Sequence, residues 1–162
     1  IEVRLRYDSE KLVKILAYVL MPNHFHLMLE QITENGITEF MRKLGTGYTN
    51  YFNKKYERVG ALFQGKYKAI ILTEQRHFMY LPYYIHLNPA AKSAGTEKTM
   101  AYLDTYRWSS HFDYLGKGGF PGIVDTKFFA EIFDNPEEYK RGFEEWLAEN
   151  NHPEIEDVAL DT

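Results

Sequence analysis

The chain has 162 residues, enough for one domain with a sizeable core, and no cysteine, which excludes disulfides, thiolate metal sites and cysteine nucleophiles. Any metal must therefore be held by His, Asn, Gln or carboxylate. The net charge of −4 hides an uneven spread: residues 1–124 carry 16 Lys+Arg against 11 Asp+Glu, and residues 125–162 carry 3 against 12.

In chain order, Ile1, Val3 and Leu5 alternate with Glu2, Arg4 and Arg6, which predicts a half-buried strand ending in a turn at Asp8-Ser9-Glu10. Residues 14–21 are almost wholly apolar, and an apolar run resumes over 24–30 after Pro22-Asn23, the pattern of an antiparallel hairpin. On its second arm His24, His26 and Met28 share one face, and Phe25, Leu27 and Leu29 the other. Over residues 36–56, Ile37, Phe40, Met41, Leu44, Tyr48, Tyr51 and Phe52 recur at spacings of three and four. This predicts an amphipathic helix, weakened by Gly45 and Gly47. Residues 61–72 read as a further strand with Gln64, Lys66 and Lys68 on one side. Residues 74–88 read as a helix, kinked or starting late near Tyr80 because of Pro82, and stopped by Pro89. The aromatic stretch 102–115 is expected to pack. Residues 136–149 form a short acidic helix with Tyr139, Phe143, Trp146 and Leu147 as its stripe, and 150–162 look like a frayed tail.

Two segments carry the chemistry. His24 and His26, alternate residues of a strand, have the spacing of a metal-ligand pair, although such a pair is more often structural. Tyr84 and Asn88 lie one helical turn apart and share a face, with Asn88 in the last turn before Pro89. His86, roughly opposite, is assigned a packing or supporting role. Two imidazoles leave open positions on a cation, and an Asn carbonyl fills one of them without adding charge. A metal so held is a Lewis acid for a phosphoryl oxygen and orients the phosphate for in-line attack. Such help is what a phenol, with an ordinary pKa of about 10, needs to become a nucleophile. A phosphotyrosine ester conserves bond energy, so a cut strand is rejoined without ATP.

Four segments, Tyr18-Val19-Leu20-Met21-Pro22-Asn23-His24-Phe25-His26-Leu27, Leu62-Phe63-Gln64-Gly65-Lys66-Tyr67-Lys68, Tyr84-Ile85-His86-Leu87-Asn88-Pro89 and Tyr106-Arg107-Trp108-Ser109-Ser110, carry a likeness to a known family. The chain resembles the single-tyrosine transposases of the HUH (His, hydrophobic, His) superfamily, and among them the REP-associated tyrosine transposases. The segments stand in the family's order and cover residues 13 to about 115. The resemblance implies a ferredoxin-like α+β fold, an antiparallel sheet with helices packed on one face. It implies His24 and His26 as metal ligands, Asn88 as the third, Tyr84 as the nucleophile, and Mg²⁺ or Mn²⁺ as the metal. The implied reaction is cleavage of single-stranded DNA beside imperfect hairpins, giving a 5′-phosphotyrosine link and a free 3′-OH, then strand transfer. A cytoplasmic, nucleoid-associated protein of a bacterium or archaeon is expected, with no membrane span and a homodimer left open.

Within residues 42–68 the charges are Arg42, Lys43, Lys54, Lys55, Arg58, Lys66 and Lys68 against Glu57 alone. Phosphates need such a surface, which makes Arg42, Lys43, Lys54, Lys55, Lys66 and Lys68 the DNA-binding candidates. Base stacking and core packing are both open to Tyr48, Tyr51 and Tyr56, and their helical spacing favours the core. Residues 1–124 are read as the catalytic domain and 125–162 as an acidic helical extension of it. Two features depart from the family pattern. Pro82 is not expected before Tyr84, and only thirteen residues precede Lys14, so either the first strand is shortened or N-terminal sequence is absent from the numbering. A palindrome-binding protein without catalysis is the competing reading, disfavoured by the intact set of His24, His26, Tyr84 and Asn88. A hydrolase unrelated to DNA is disfavoured by the basic stretch.

Overall fold

A computed structural model describes residues 11–90, 95–120, 122–149 and 152–159. The strand and turn predicted over residues 1–10 lie outside the described residues. The fold is α+β. Among the described residues, strands β1 (Val13–Leu20) and β2 (Phe25–Gln31) form an antiparallel pair, and six helices follow: α1 (Gly36–Lys55), α2 (Gln75–Leu87), α3 (Thr96–Leu103), α4 (His111–Tyr114), α5 (Thr126–Ile132) and α6 (Pro136–Ala148). Among the described residues no helix is long and apolar enough to cross a membrane. The chain divides into two compact units, one holding the described residues up to Lys14 with Leu29–Lys68, the other Ile15–Met28 with the described residues from Ala69 onward.

In the first unit the amides of Ile32 and Thr33 both donate to the Leu12 carbonyl. Gly36 opens α1 against that same carbonyl. A Cβ at position 36 would fall on the Leu12 oxygen, so only glycine lets the helix start there. The helix predicted from the three-and-four spacing forms, but its stripe is not a core. Gly36 is its only buried residue. Tyr48, Tyr51 and Tyr56 are 48%, 58% and 55% exposed, which overturns their assignment to packing. The strand predicted over 61–72 is also absent, since the backbone there is turns and irregular chain. Side chains of both parities, Lys66, Tyr67, Lys68, Ile70 and Ile71, are exposed, so the alternation has no buried face to align it and no neighbour to ladder with.

The second unit holds the core. Leu16, Ala17, Tyr18 and Val19 of β1 are buried together with Leu81, Tyr83, Tyr84, Ile85 and Leu87 of α2 and Tyr139, Phe143 and Trp146 of α6. The Tyr83 ring stacks on Phe143 at 5.0 Å and 8°, and Gly142 leaves room for its hydroxyl. The free edge of β1 is covered in pieces. Ile15 bridges Val124, Val19 bridges Ser109, and the Leu20 amide donates to the Trp108 carbonyl at 2.8 Å. The Tyr106-Arg107-Trp108-Ser109-Ser110 segment thus satisfies an edge that would otherwise invite another strand.

Helix α6 starts as its sequence dictates. The Asn135 side chain accepts from the Glu138 amide at 2.8 Å, Glu138 reaches back to the Asp134 amide at 2.7 Å, and Pro136 takes the first turn. The frayed tail expected at 150–162 is corrected where it is described. Ile155 and Val158, three apart on successive turns, are buried in the core, and Arg76 donates to the Pro153 carbonyl.

Candidate active site

The hairpin and α2 position the four candidate residues, all within the second unit. Pro22 and Asn23 make the turn, closed by the Met21 amide donating to the His24 carbonyl at 2.8 Å. His24 stands exposed just before β2, and His26 is half-buried in the strand's first residues. Their rings meet edge-on, 5.1 Å apart at 89°. Asn23 Oδ1 lies 2.7 Å from His24 Nδ1. A carboxamide oxygen only accepts, so Nδ1 carries a proton, which leaves Nε2 as the nitrogen that a cation can use.

Tyr84 presents its ring to His26. It is 7% exposed, and its centroid lies 6.2 Å from that of His26 at 72°. One turn on, the Asn88 amide nitrogen donates to the Tyr84 carbonyl at 2.9 Å, which reserves Oδ1, the only metal-binding atom of the side chain. Helix α2 begins at Gln75 and runs through the buried Pro82, so the start near Tyr80 expected from the sequence does not occur. Pro82 has no N–H, so the helix bond to the Phe78 carbonyl is missing two residues before Tyr84.

What holds α2 in place is a buried polar chain that sequence reasoning touched only at His86. His86 is fully buried, with Nε2 2.6 Å from Ser110 Oγ and Nδ1 2.8 Å from Tyr139 Oη. The same Tyr139 hydroxyl lies 2.8 Å from His111 Nδ1, and His111 Nε2 lies 3.3 Å from Asp104 Oδ1. Burial drives the His86 pKa well below the ordinary imidazole value, helped by His111, and burial brings His111 down to about 4 against the opposing pull of Asp104. With both rings neutral the direction of every bond follows. His111 Nε2 donates to Asp104, Tyr139 donates to His111, His86 Nδ1 donates to Tyr139, Ser110 donates to His86 Nε2, and the Tyr18 amide donates to Ser110 at 2.8 Å. The contact of His111 with Asp104 is thus a neutral donor on a carboxylate, and Lys117, 3.6 Å away, supplies the countercharge. The chain ties α2 to β1, α6 and α4. Apart from His86, only Ser110 among its side chains stands in one of the four segments that carry the resemblance, Tyr106-Arg107-Trp108-Ser109-Ser110, and nothing in the sequence gives it a role; His111 and Tyr139 carry no such signal.

The donor set fits a divalent cation: two imidazoles and a reserved amide oxygen, with no competing fixed charge among them. Two other groupings of His and carboxylate occur among the described residues, Glu74 with His77 and Asp157, and Glu149 with His152 and Glu154. In the first the Arg76 guanidinium already bridges the acids, 2.8 Å from Glu74 and 3.4 Å from Asp157. In the second Glu154 accepts from the Trp146 indole. The DNA-binding candidates lie in the other unit. Arg42 and Lys43 are exposed but pair with Glu39 at 2.8 and 3.3 Å, whereas Lys54, Lys55, Lys66 and Lys68 are exposed beside little acid.

No curated protein and no solved structure matches the chain. A family model described as "Transposase IS200 like" matches residues 2–88, more than half of the 162. The match takes in the hairpin, α1 and the whole of α2 with Asn88, and the chain belongs to the IS200-like transposase family.

Proposed function

We propose that this transposase cuts and rejoins single-stranded DNA beside hairpins, with Tyr84 as nucleophile and His24, His26 and Asn88 holding a divalent cation, Mg²⁺ or Mn²⁺. The observation that carries the reading is the approach of the Tyr84 ring to His26, whose ring meets that of His24, with Asn88 fastened to Tyr84 one turn on. When bound, the cation supplies positive charge to a phosphoryl oxygen.

The chain's own residues do the rest. Tyr84 Oη attacks phosphorus, the bond from phosphorus to the 3′ oxygen breaks, and the phenol proton ends on that oxygen. The products are a tyrosine-linked 5′-phosphate and a free 3′-OH. Attack by another 3′-OH reverses the chemistry and joins a new strand, so no outside energy source is needed. His86 keeps the helix register that aims Tyr84, and Asn23 keeps His24 in its ligating tautomer. Burial of Tyr84 among core residues restricts its ring to few orientations, which favours one line of attack.

Exposed Lys54, Lys55, Lys66 and Lys68 fit a phosphate backbone. Residues 125–162 are read as part of the same domain as residues 1–124, supported by the packing of Tyr139, Phe143 and Trp146 with α2 residues in one core. The test is a hairpin oligonucleotide with a single-stranded flank, incubated with Mn²⁺ and run on a denaturing gel. A covalent adduct that disappears in Tyr84→Phe and on chelation of the metal is expected. Tight binding of the hairpin by wild type with no adduct at any metal concentration contradicts the reading.

A further inference from the structure

Helix α1 carries an exposed aromatic stripe. The Tyr48 ring lies 6.4 Å from Tyr51, 6.2 Å from Phe52 and 6.2 Å from Phe63, so the helix and the loop after it present one continuous aromatic surface. Tyr48, Tyr51 and Phe63 are all exposed. Cations stand on that surface rather than around it. The Lys55 ammonium sits 5.7 Å from the Tyr51 centroid and 5.3 Å from that of Tyr56, and the Arg58 guanidinium 5.6 Å from that of Phe52.

A soluble domain gains nothing by leaving large rings half in water, so a contiguous patch of them marks a surface that meets a partner. The chemistry of the patch narrows the partner. It offers flat π faces together with positive charge, with Glu57 as the only acid in residues 42–68. A second copy of the same face would set Lys55 and Arg58 against their like. Duplex DNA brings phosphates but keeps its base faces stacked inside. An unpaired strand brings both an anionic backbone and free base faces.

We propose that the exposed aromatic face of α1 and the following loop, built on Tyr48, Tyr51 and Phe63 and flanked by Lys54 and Lys55, is a stacking platform for unpaired DNA bases. The proposal rests on the DNA reading above and adds the part of the substrate that this face takes: the bases of the single-stranded flank.

Fluorescence anisotropy with the full chain tests it, using a labelled oligothymidine and a strand of equal length whose central positions are abasic. The Tyr48→Ala, Tyr51→Ala double variant is expected to weaken oligothymidine binding on the order of tenfold per stacked base and to leave abasic binding unchanged. Tyr48→Phe with Tyr51→Phe retains wild-type affinity, because a phenyl face stacks as well. Lys54→Ala with Lys55→Ala weakens both strands and lowers the slope of log affinity against log salt by roughly 0.7 per lost phosphate contact. Equal loss on both strands in the tyrosine variant, no loss on either, or no binding of oligothymidine by wild type overturns the platform. So does a variant that binds DNA normally but loses self-association in sedimentation, which assigns the face to a second copy. The covalent adduct is scored separately on the denaturing gel and needs Mn²⁺, whereas these affinities are measured without it, so failure of the covalent chemistry and failure of the platform are read separately.

Discussion

At Asn88 and His24 a side chain with two polar atoms uses one of them on a neighbour, and in the proposed site the other is the ligand. Asn88 uses its nitrogen on the Tyr84 carbonyl, and His24 uses Nδ1 on Asn23. Such second contacts fix orientation and tautomer, and their loss costs metal affinity without removing a ligand. Asn23→Ala is therefore expected to raise the Mn²⁺ concentration needed for adduct formation by roughly 10- to 100-fold, read from a metal titration, while His26→Ala abolishes the adduct and leaves hairpin binding in place. Tyr139 plays the corresponding part in the core. Its hydroxyl stands between two buried imidazole nitrogens, and Tyr139→Phe strands both. The expected loss is about 1–3 kcal/mol in urea unfolding, with aromatic packing otherwise kept.

At the scale of elements, α6 shows how far local signals reach. Asn135, Pro136 and Glu138 together specify its first turn, and Asn135→Ala is expected to cost about 1 kcal/mol of stability by thermal or urea unfolding. The hairpin and α2 were legible for the same reason: apolar runs broken by Pro22-Asn23 and ended by Pro89 carry their boundaries with them. Helix α1 was legible as a helix but not as an exposed one, because periodicity reports which residues share a face and not what that face meets. The alternation over 61–72 was misleading, since a strand needs a neighbour that no local pattern supplies. The tail was misjudged because Ile155 and Val158 are two apolar residues in an acidic segment, and only the core they enter reveals their weight. Among the candidate residues, the pairs His24 with His26 and Tyr84 with Asn88 stand out by spacing, whereas Ser110, His111 and Tyr139 gather at His86 from 24 to 53 residues away.

For the whole molecule, the buried His86–Tyr139–His111 chain predicts how stability varies with pH. The folded-state pKa of His111 is about 4 against an ordinary 6.5, so the folded protein binds fewer protons than the unfolded chain between those values. Its stabilising contribution is complete above about pH 6.5 and is lost as pH falls toward 4, on the order of 3 kcal/mol, and His86 acts in the same direction. Asp113, whose carboxyl burial pushes up, acts in the opposite sense at the acid end. Urea midpoints measured from pH 7.5 to 4.5 are expected to fall steadily, and a flat profile contradicts neutral burial of the pair. All of this sets the Tyr84 ring beside that of His26, and the proposed chemistry makes its phenol the nucleophile. The most direct measurement of that claim is mass spectrometry of the protein after reaction with a hairpin oligonucleotide and Mn²⁺, followed by nuclease trimming and peptide mapping. The account predicts a nucleotide phosphate on the peptide containing Tyr84 and on no other tyrosine; the same mass on a different residue, or an unmodified Tyr84 after the strand has been cut, would contradict it.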